Sequence, residues 1–232
     1  MEKKIDVIFE DENIVVINKP YGLVVNKSNT YKGETLQDIL YKKYHSCFDG
    51  VGDEEFVNRS GMVHRLDKDT SGVIVAAKNV DSFHFLQKQF KDRKTYKKYV
   101  ALVHGEIEDE IVEINAPISR SPKNPLKMAV VSGGKTALTR IEKIKTANLG
   151  EHVYTLTDVF PKTGRTHQIR VHFFAIQHPI AGDIIYCAQN LLKIDLKLFN
   201  RMMLHAEVLG FVSPGTGKFK RFVSPLPKEF KI

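Results

Sequence analysis

The chain has only two cysteines, Cys47 and Cys187, far apart and outside any C-x-x-C pair. That excludes a disulfide-stapled scaffold and a thiolate zinc site, and it fits a reducing compartment. No apolar run approaches the roughly 20 residues of a membrane span. The opening Met-Glu-Lys-Lys-Ile-Asp is charged where a secretory signal would be apolar. The expectation is a cytoplasmic protein with no membrane partner. Walker and G-x-G-x-x-G sequences are absent, so the usual signs of a phosphoryl donor or a dinucleotide are missing. Nine histidines are present, but no His-Glu-x-x-His; His167 and His172 stand five apart, off the spacing that sets two ligands on one helix face. No metal and no cofactor are expected. There is no repeat, no low-complexity tract and no flexible interdomain linker.

What is present begins with charge. The formal net charge is +8 and the pI about 9.3, an excess that favours a polyanionic partner through phosphate contacts and steering. A length of 232 residues with 42% hydrophobic content suits one large domain or two packed halves with a real core.

Along the chain, 5–18 reads as two short strands around the acidic turn Glu10-Asp11-Glu12-Asn13. Asn18-Lys19-Pro20-Tyr21-Gly22 reads as a turn. Helices are predicted over 35–44, with Leu36, Ile39 and Leu40 on one face, and over 80–94, with Val80, Phe83, Leu86 and Phe90 as a core-facing stripe. The polar stretch 45–61 reads as a loop. Strands are predicted at 98–105, 111–114, 127–131, 135–145 and 153–160, separated by Gly-containing turns; this indicates a mostly antiparallel sheet rather than a doubly wound fold. The basic, Pro-containing stretch 119–127 reads as an exposed loop suited to a polyanion.

Two stretches are dense in chemistry. The first is Val63-His64-Arg65-Leu66-Asp67-Lys68-Asp69-Thr70-Ser71-Gly72, directly before the apolar run 73–77, a buried strand. A surface turn with ion pairs is the plain alternative. Against it, Arg65 and Asp67 would share a face of an extended segment, and Thr70, Ser71 and Gly72 suit a tight turn that pins the carboxylate before them. The second is Gly164-Arg165-Thr166-His167-Gln168-Ile169-Arg170-Val171-His172. A Gly turn is followed by a helix to about Gln177, with Thr166 as its cap. On residue types alone this is a basic amphipathic helix.

His-Arg-Leu-Asp followed by Thr-Ser-Gly resembles the signature of RluA-type RNA pseudouridine synthases. So do Asn18-Lys19-Pro20 with Gly22-Leu23, the 97–105 strand around Tyr99, and Gly164-Arg165-Thr166-His167-Gln168-Ile169-Arg170. His178-Pro179-Ile180 with Gly182-Asp183, Leu204-His205-Ala206 and Pro225-Leu226-Pro227 with Phe230 extend the resemblance over nearly the whole chain. Cys187 stands after Tyr186 where the family often has Gly.

The resemblance implies an α+β fold: a curved, mostly antiparallel mixed sheet in two subdomains with a central catalytic cleft, here one catalytic domain over 1–232. The family's frequent N-terminal S4 domain is not expected, since 17 residues precede Asn18. It implies Asp67 as nucleophile, Tyr99 on the target base and Arg170 as the counter-ion of Asp67. Tyr96 is a weaker match in register. Arg65 would fill the gap or grip the phosphate of a flipped nucleotide, since a base in RNA must leave its stack to be reached. His64, Leu66, Thr70, Arg165 and His167 complete the expected substrate-binding set. Arginine suits the counter-ion role because its planar fork matches a carboxylate.

The expected reaction is isomerisation of a specific uridine in rRNA or tRNA to pseudouridine, on a structured stem-loop, by a monomer without a required protein partner. The alternative reading is a non-catalytic RNA-binding or RNA-folding protein on the same scaffold; a metal-dependent hydrolase is a more distant rival.

Overall fold

A computed structural model describes residues 5–125 and 127–232. The charged start at 1–4 and Leu126 in the expected basic loop lie outside the described residues. In chain order the strands are β1 (Asp6–Glu10), β2 (Ile14–Lys19), β3 (Ser71–Ala77), β4 (Tyr96–His104), β5 (Ile111–Asn115), β6 (Ile118–Arg120), β7 (Met128–Val130), β8 (Leu138–Leu149), β9 (His152–Pro161), β10 (Leu204–Val212) and β11 (Phe219–Val223). The helices are α1 (Leu36–Lys43), α2 (Glu54–Asn58), α3 (Val80–Lys91), α4 (Gln168–Ala175) and α5 (Gln189–Leu198).

The chain divides into two compact units: Met1–Tyr96 with Ala206–Pro225, and Lys97–His205 with Leu226–Ile232. In the first unit the strand order is β1-β2-β3-β10, with β11 also on β10. β1 and β2 form a hairpin across Asp11, whose carboxylate accepts the N–H groups of Asn13 and Ile14 at 2.8 Å. β2 pairs antiparallel with β3 from Ile14 opposite Ala77 to Lys19 opposite Gly72. Both strands are apolar on both faces because both faces are covered: Ile14, Val16, Ile17, Ile74 and Val75 have no exposed surface.

Helix α1 starts where the sequence predicts it. Thr35 and Asp38 form a reciprocal capping box. Helix α3 is capped by Asn79, whose side chain accepts the Ser82 N–H. The expected 45–61 loop instead contains α2. Asp53 accepts the Phe56 N–H at 2.8 Å and two glutamates occupy the first turn, which together favour a short helix. Phe56 is fully buried, its ring 5.1 Å from Phe48 and 5.6 Å from Phe83.

In the second unit the order is β4-β9-β8-β5, all antiparallel, with β6 and β7 as a separate hairpin. A slip of register between Lys143 and Lys145 bends β8. Val100, Leu102, Tyr154, Val159, Phe173 and Met203 belong to its core. The sequence reading assigns nothing to 189–198, where α5 forms. That helix has one buried acid, Asp195, treated below.

Candidate active site

The first dense stretch is an irregular extended segment leading into β3. Its side chains alternate: Arg65 is exposed, Leu66 buried and Asp67 half-buried. The turn that follows is made by Asp67 to Thr70, closed by the Thr70 N–H on the Asp67 carbonyl at 3.2 Å. Ser71 and Gly72, expected in that turn, already belong to β3. Gly72 has φ +119, and a Cβ there would stand 2.1 Å from the Ala206 carbonyl oxygen. The glycine lets β3 and β10 approach beside the loop.

Three grips make this loop stiff. The His64 ring accepts the Val75 N–H at 3.0 Å through Nε2 and stacks on Phe90 at 4.5 Å, so the α3 stripe also supports the motif. Leu66 and Thr70 are buried. Lys19 is the third, and sequence reading missed it. Its side chain has no exposed surface, and its Nζ donates to the carbonyls of Pro20 at 2.8 Å, Leu23 at 2.8 Å and Lys68 at 3.0 Å. Three acceptors match the three donors of an ammonium. One of them belongs to the residue after Asp67.

In the second unit Tyr99 is half-buried on β4, opposite Val159 of β9, next to the Lys98–Asp158 ion pair at 3.0 Å. Tyr96 lies in the first unit under the Arg221 guanidinium, 4.5 Å from its ring centroid.

The second dense stretch sorts into two sets. Gln168 and His172, one turn apart, face β8. Gln168 Oε1 accepts the Thr163 hydroxyl at 2.7 Å and the Arg165 N–H at 3.0 Å, while its Nε2 reaches Thr139 Oγ1 at 3.0 Å. His172 donates from Nε2 to the Ala116 carbonyl at 3.0 Å, and its Nδ1 lies 2.8 Å from Thr139 Oγ1. These residues fasten the helix.

Thr166 does not cap α4. The N-cap is His167, in the left-handed region at φ 54, with no side-chain cap bond. Gln168 instead accepts the Arg165 N–H ahead of the helix, which fixes the turn leading into it rather than capping it. The turned backbone aims His167 at Tyr186, Nδ1 to hydroxyl 2.9 Å. Arg170 is buried and holds Asp183 through two bonds, Nε to Oδ2 at 2.7 Å and Nη2 to Oδ1 at 2.8 Å.

Arg165 and His167 also border a recess of about 450 Å³ with Arg120, Lys135, Ser119 and Thr166. Cations and hydroxyls without a carboxylate suit a phosphate. The expected 119–127 loop is here: β6 and β7 pair from Ile118 opposite Val130 to Arg120 opposite Met128.

Among the described residues, His104, Cys187 and Asp195 bring potential metal-ligating atoms within 4.8 Å of one another. The Asp195 oxygens are taken by His104 Nε2 at 2.9 Å, Tyr154 hydroxyl at 2.9 Å and Gly182 N–H at 2.8 Å. Burial pushes the Asp195 carboxyl up, but these bonds outweigh it and hold the group below its ordinary value. Burial, then Asp195, push the Cys187 thiol up to about 12. The cluster is a hydrogen-bonded knot tying α5 to β4.

The RNA pseudouridylate synthase family profile matches residues 13–175. Ribosomal large subunit pseudouridine synthase D of Borreliella burgdorferi is 39% identical over 231 residues, 98% of this chain and 67% of that protein. The protein of the same name from Pseudomonas aeruginosa is 38% identical, covering 98% of this chain and 70% of its own. The solved human RNA pseudouridylate synthase domain containing 1 superposes with a TM-score of 0.76 at 27% identity, over 98% of this chain and 87% of that one.

The chain belongs to the RNA pseudouridylate synthase family. Within it, the full-length similarity and the motifs place it in the RluA type. The fold is the family's α+β fold, built here on a largely antiparallel sheet. Pseudouridine synthases are isomerases that convert uridine to pseudouridine in RNA, so RNA is the substrate class. Among the described residues no helix is long and apolar enough to cross a membrane.

Proposed function

We propose that this synthase isomerises a specific uridine of large-subunit ribosomal RNA, with Asp67 as nucleophile, Arg170 as its counter-ion and Tyr99 against the target base. The observation that carries the reading is the Asp67 loop. A half-buried carboxylate sits at a turn whose neighbours are pinned by His64, Leu66, Thr70 and Lys19. Such rigidity positions a reacting group and is wasted on a solvated surface turn. The large-subunit target is supported by the names of the two bacterial relatives above.

The reaction breaks N1–C1′ of the uridine and forms C5–C1′; the proton leaves C5 and N1 gains one. Nothing is oxidised or reduced. The Asp67 carboxylate attacks either the ribose C1′, expelling N1, with C5 later displacing the carboxylate, or uracil C6, forming an adduct that is eliminated after C5–C1′ forms; both routes release the base to rotate and return Asp67 free. Arg65, exposed beside Asp67, takes the place of the extruded nucleotide or grips its phosphate. Arg165 and His167, with Arg120 and Lys135, receive backbone phosphates in their recess. The stem-loop is bound by a cytoplasmic monomer without a protein partner.

The test is pseudouridine mapping of rRNA and tRNA from cells lacking the protein, complemented with wild type or Asp67→Ala. One or a few large-subunit rRNA sites vanish, and only wild type restores them. Restoration by Asp67→Ala would overturn the assignment of the nucleophile; a lost tRNA site would overturn the target. Purified Asp67→Asn should bind RNA with near-native affinity while forming no product.

A further inference from the structure

Arg170 has a partner that the isomerisation does not require. We infer that Asp183 and Tyr186 are positioning residues that hold the Arg170 guanidinium in one plane for catalysis; this rests on Arg170 serving Asp67 as proposed above.

Arg170 is 3% exposed and Asp183 is 0% exposed. Two parallel bonds, 2.7 and 2.8 Å, fix the plane of the fork against rotation of the whole planar group about Cδ–Nε. Asp183 is itself immobile. Its Oδ1 also accepts the N–H groups of Ile185 at 2.9 Å and Tyr186 at 3.1 Å. The same turn sets Tyr186 with its ring centroid 5.2 Å from the Arg170 guanidinium carbon, a cation–π distance. The guanidinium is therefore held at its edge by Asp183 and against its face by Tyr186.

Tyr186 is fixed in turn from the side of the β6–β7 hairpin. Its hydroxyl accepts the Met128 N–H of β7 at 3.0 Å and meets His167 Nδ1 at 2.9 Å. Lys127 donates to the Ile185 carbonyl and stands 5.9 Å from the Tyr186 ring centroid. The basic hairpin and the guanidinium clamp thus share one tyrosine.

Electrostatics and orientation predict opposite effects for Asp183. A second carboxylate on Arg170 weakens the pull of its charge on any other anion. Were charge all that mattered, losing Asp183 would help Asp67 or leave it unchanged. A buried ion pair is also a weak device for stability alone. What it supplies is direction: two of the five guanidinium N–H groups are spent fixing where the other three point. Both Asp183 oxygens are engaged and buried, so it acts through Arg170 and touches no substrate.

The experiment is single-turnover tritium release from large-subunit rRNA transcribed in vitro with 5-tritiated uridine, at saturating enzyme, alongside RNA binding by filter retention. Asp183→Asn keeps an oxygen for the Ile185 and Tyr186 amides but turns an NH₂ toward Arg170 Nε. The expected result is a rate constant lowered about 10- to 100-fold with RNA affinity within about twofold. In an Arg170→Lys background the same change adds almost nothing, because both act on one element. A merely structural role would lower the fraction of active molecules and leave the rate constant of the remainder intact. Tyr186→Phe, which keeps the ring and drops the hydroxyl, lowers the rate constant severalfold and reads out the clamp should Asp183→Asn not fold. A wild-type or faster rate in the folded variants, or full additivity with Arg170→Lys, overturns the positioning role. An Arg170→Gln enzyme, which loses the positive charge, at wild-type rate overturns instead the reading of Arg170 as the counter-ion.

Discussion

Replacing Lys19 by methionine isolates one buried ammonium under the Asp67 loop. The stem is matched in length, so the change removes charge and donors with little change of volume. Three ammonium-to-carbonyl bonds of 2.8, 2.8 and 3.0 Å are lost. At about 1.5–3 kcal/mol for each bond to a charged group, the gross loss is roughly 5–9 kcal/mol. Returning a fully buried ammonium to water in the unfolded comparison offsets several kcal/mol of that. The net expectation is a destabilisation of about 2–4 kcal/mol, since the Pro20, Leu23 and Lys68 carbonyls lose a donor where solvent is sparse.

Two assays check the reasoning. Urea unfolding gives the stability loss directly. Single-turnover isomerisation at a temperature where the variant is folded gives the functional cost, because the Lys68 carbonyl is one residue beyond Asp67 and its release loosens the turn. With Asp67 as the nucleophile proposed above, its displacement is expected to lower the rate constant about tenfold or more. A variant less than about 1 kcal/mol weaker, with an unchanged rate constant, would refute the claim that Lys19 organises the loop.

Gly72→Ala would put a Cβ 2.1 Å from the Ala206 oxygen and 2.6 Å from its nitrogen; backbone must move, and a loss of about 3 kcal/mol or more in urea unfolding is expected, with an unchanged midpoint as the contrary result. Burial pushes the His172 imidazole below its ordinary 6.5, against the hydrogen bond to the Ala116 carbonyl. The unfolded chain then binds a proton that the folded chain refuses, so this contribution is complete above pH 6.5 and is lost as the pH falls below it. His172→Gln should therefore flatten the decline of melting temperature on acidification below pH 6.5; an identical slope in the variant would remove His172 as its source.

The readable part of the sequence was periodic or punctuated. Apolar and alternating runs located β2, β3, β4 and β9; the 3.6-residue stripe located α3; and Leu36, Ile39 and Leu40 on one face located α1. Two readings failed for local reasons. Asp53 was hidden in a polar stretch whose buried aromatics, Phe48 and Phe56, are eight residues apart and give no helical period. Thr166 looked like a cap because it is a hydroxyl before a helix, but the left-handed His167 takes the N-cap position and no side chain caps the helix. Helix α5 was hidden by its buried acid: Asp195 reads as a solvent-facing residue until His104, Tyr154 and Gly182 are brought to it.

The same blindness explains why motif matching named residues without sorting them. Lys19 and Lys68 are 49 residues apart, and Arg170 and Asp183 are 13 apart; no composition or spacing rule pairs them, because each pairing exists only after folding. Once paired, the motif residues divide by what they touch. His64, Gln168 and His172 bind backbone or core hydroxyls and carry the same physical signature as any satisfied buried polar group. Arg65 and Arg165 keep solvent-accessible cations beside those rigid supports. A reacting carboxylate needs neighbours that cannot yield, so a motif built around one spends most of its letters on grip. Arg170 marks the boundary between the two sets: buried like the first, charged like the second, with its plane fixed by Asp183. Substitutions in the gripping set should therefore cost stability and rate together, whereas Arg65→Ala should cost rate or RNA affinity at unchanged stability.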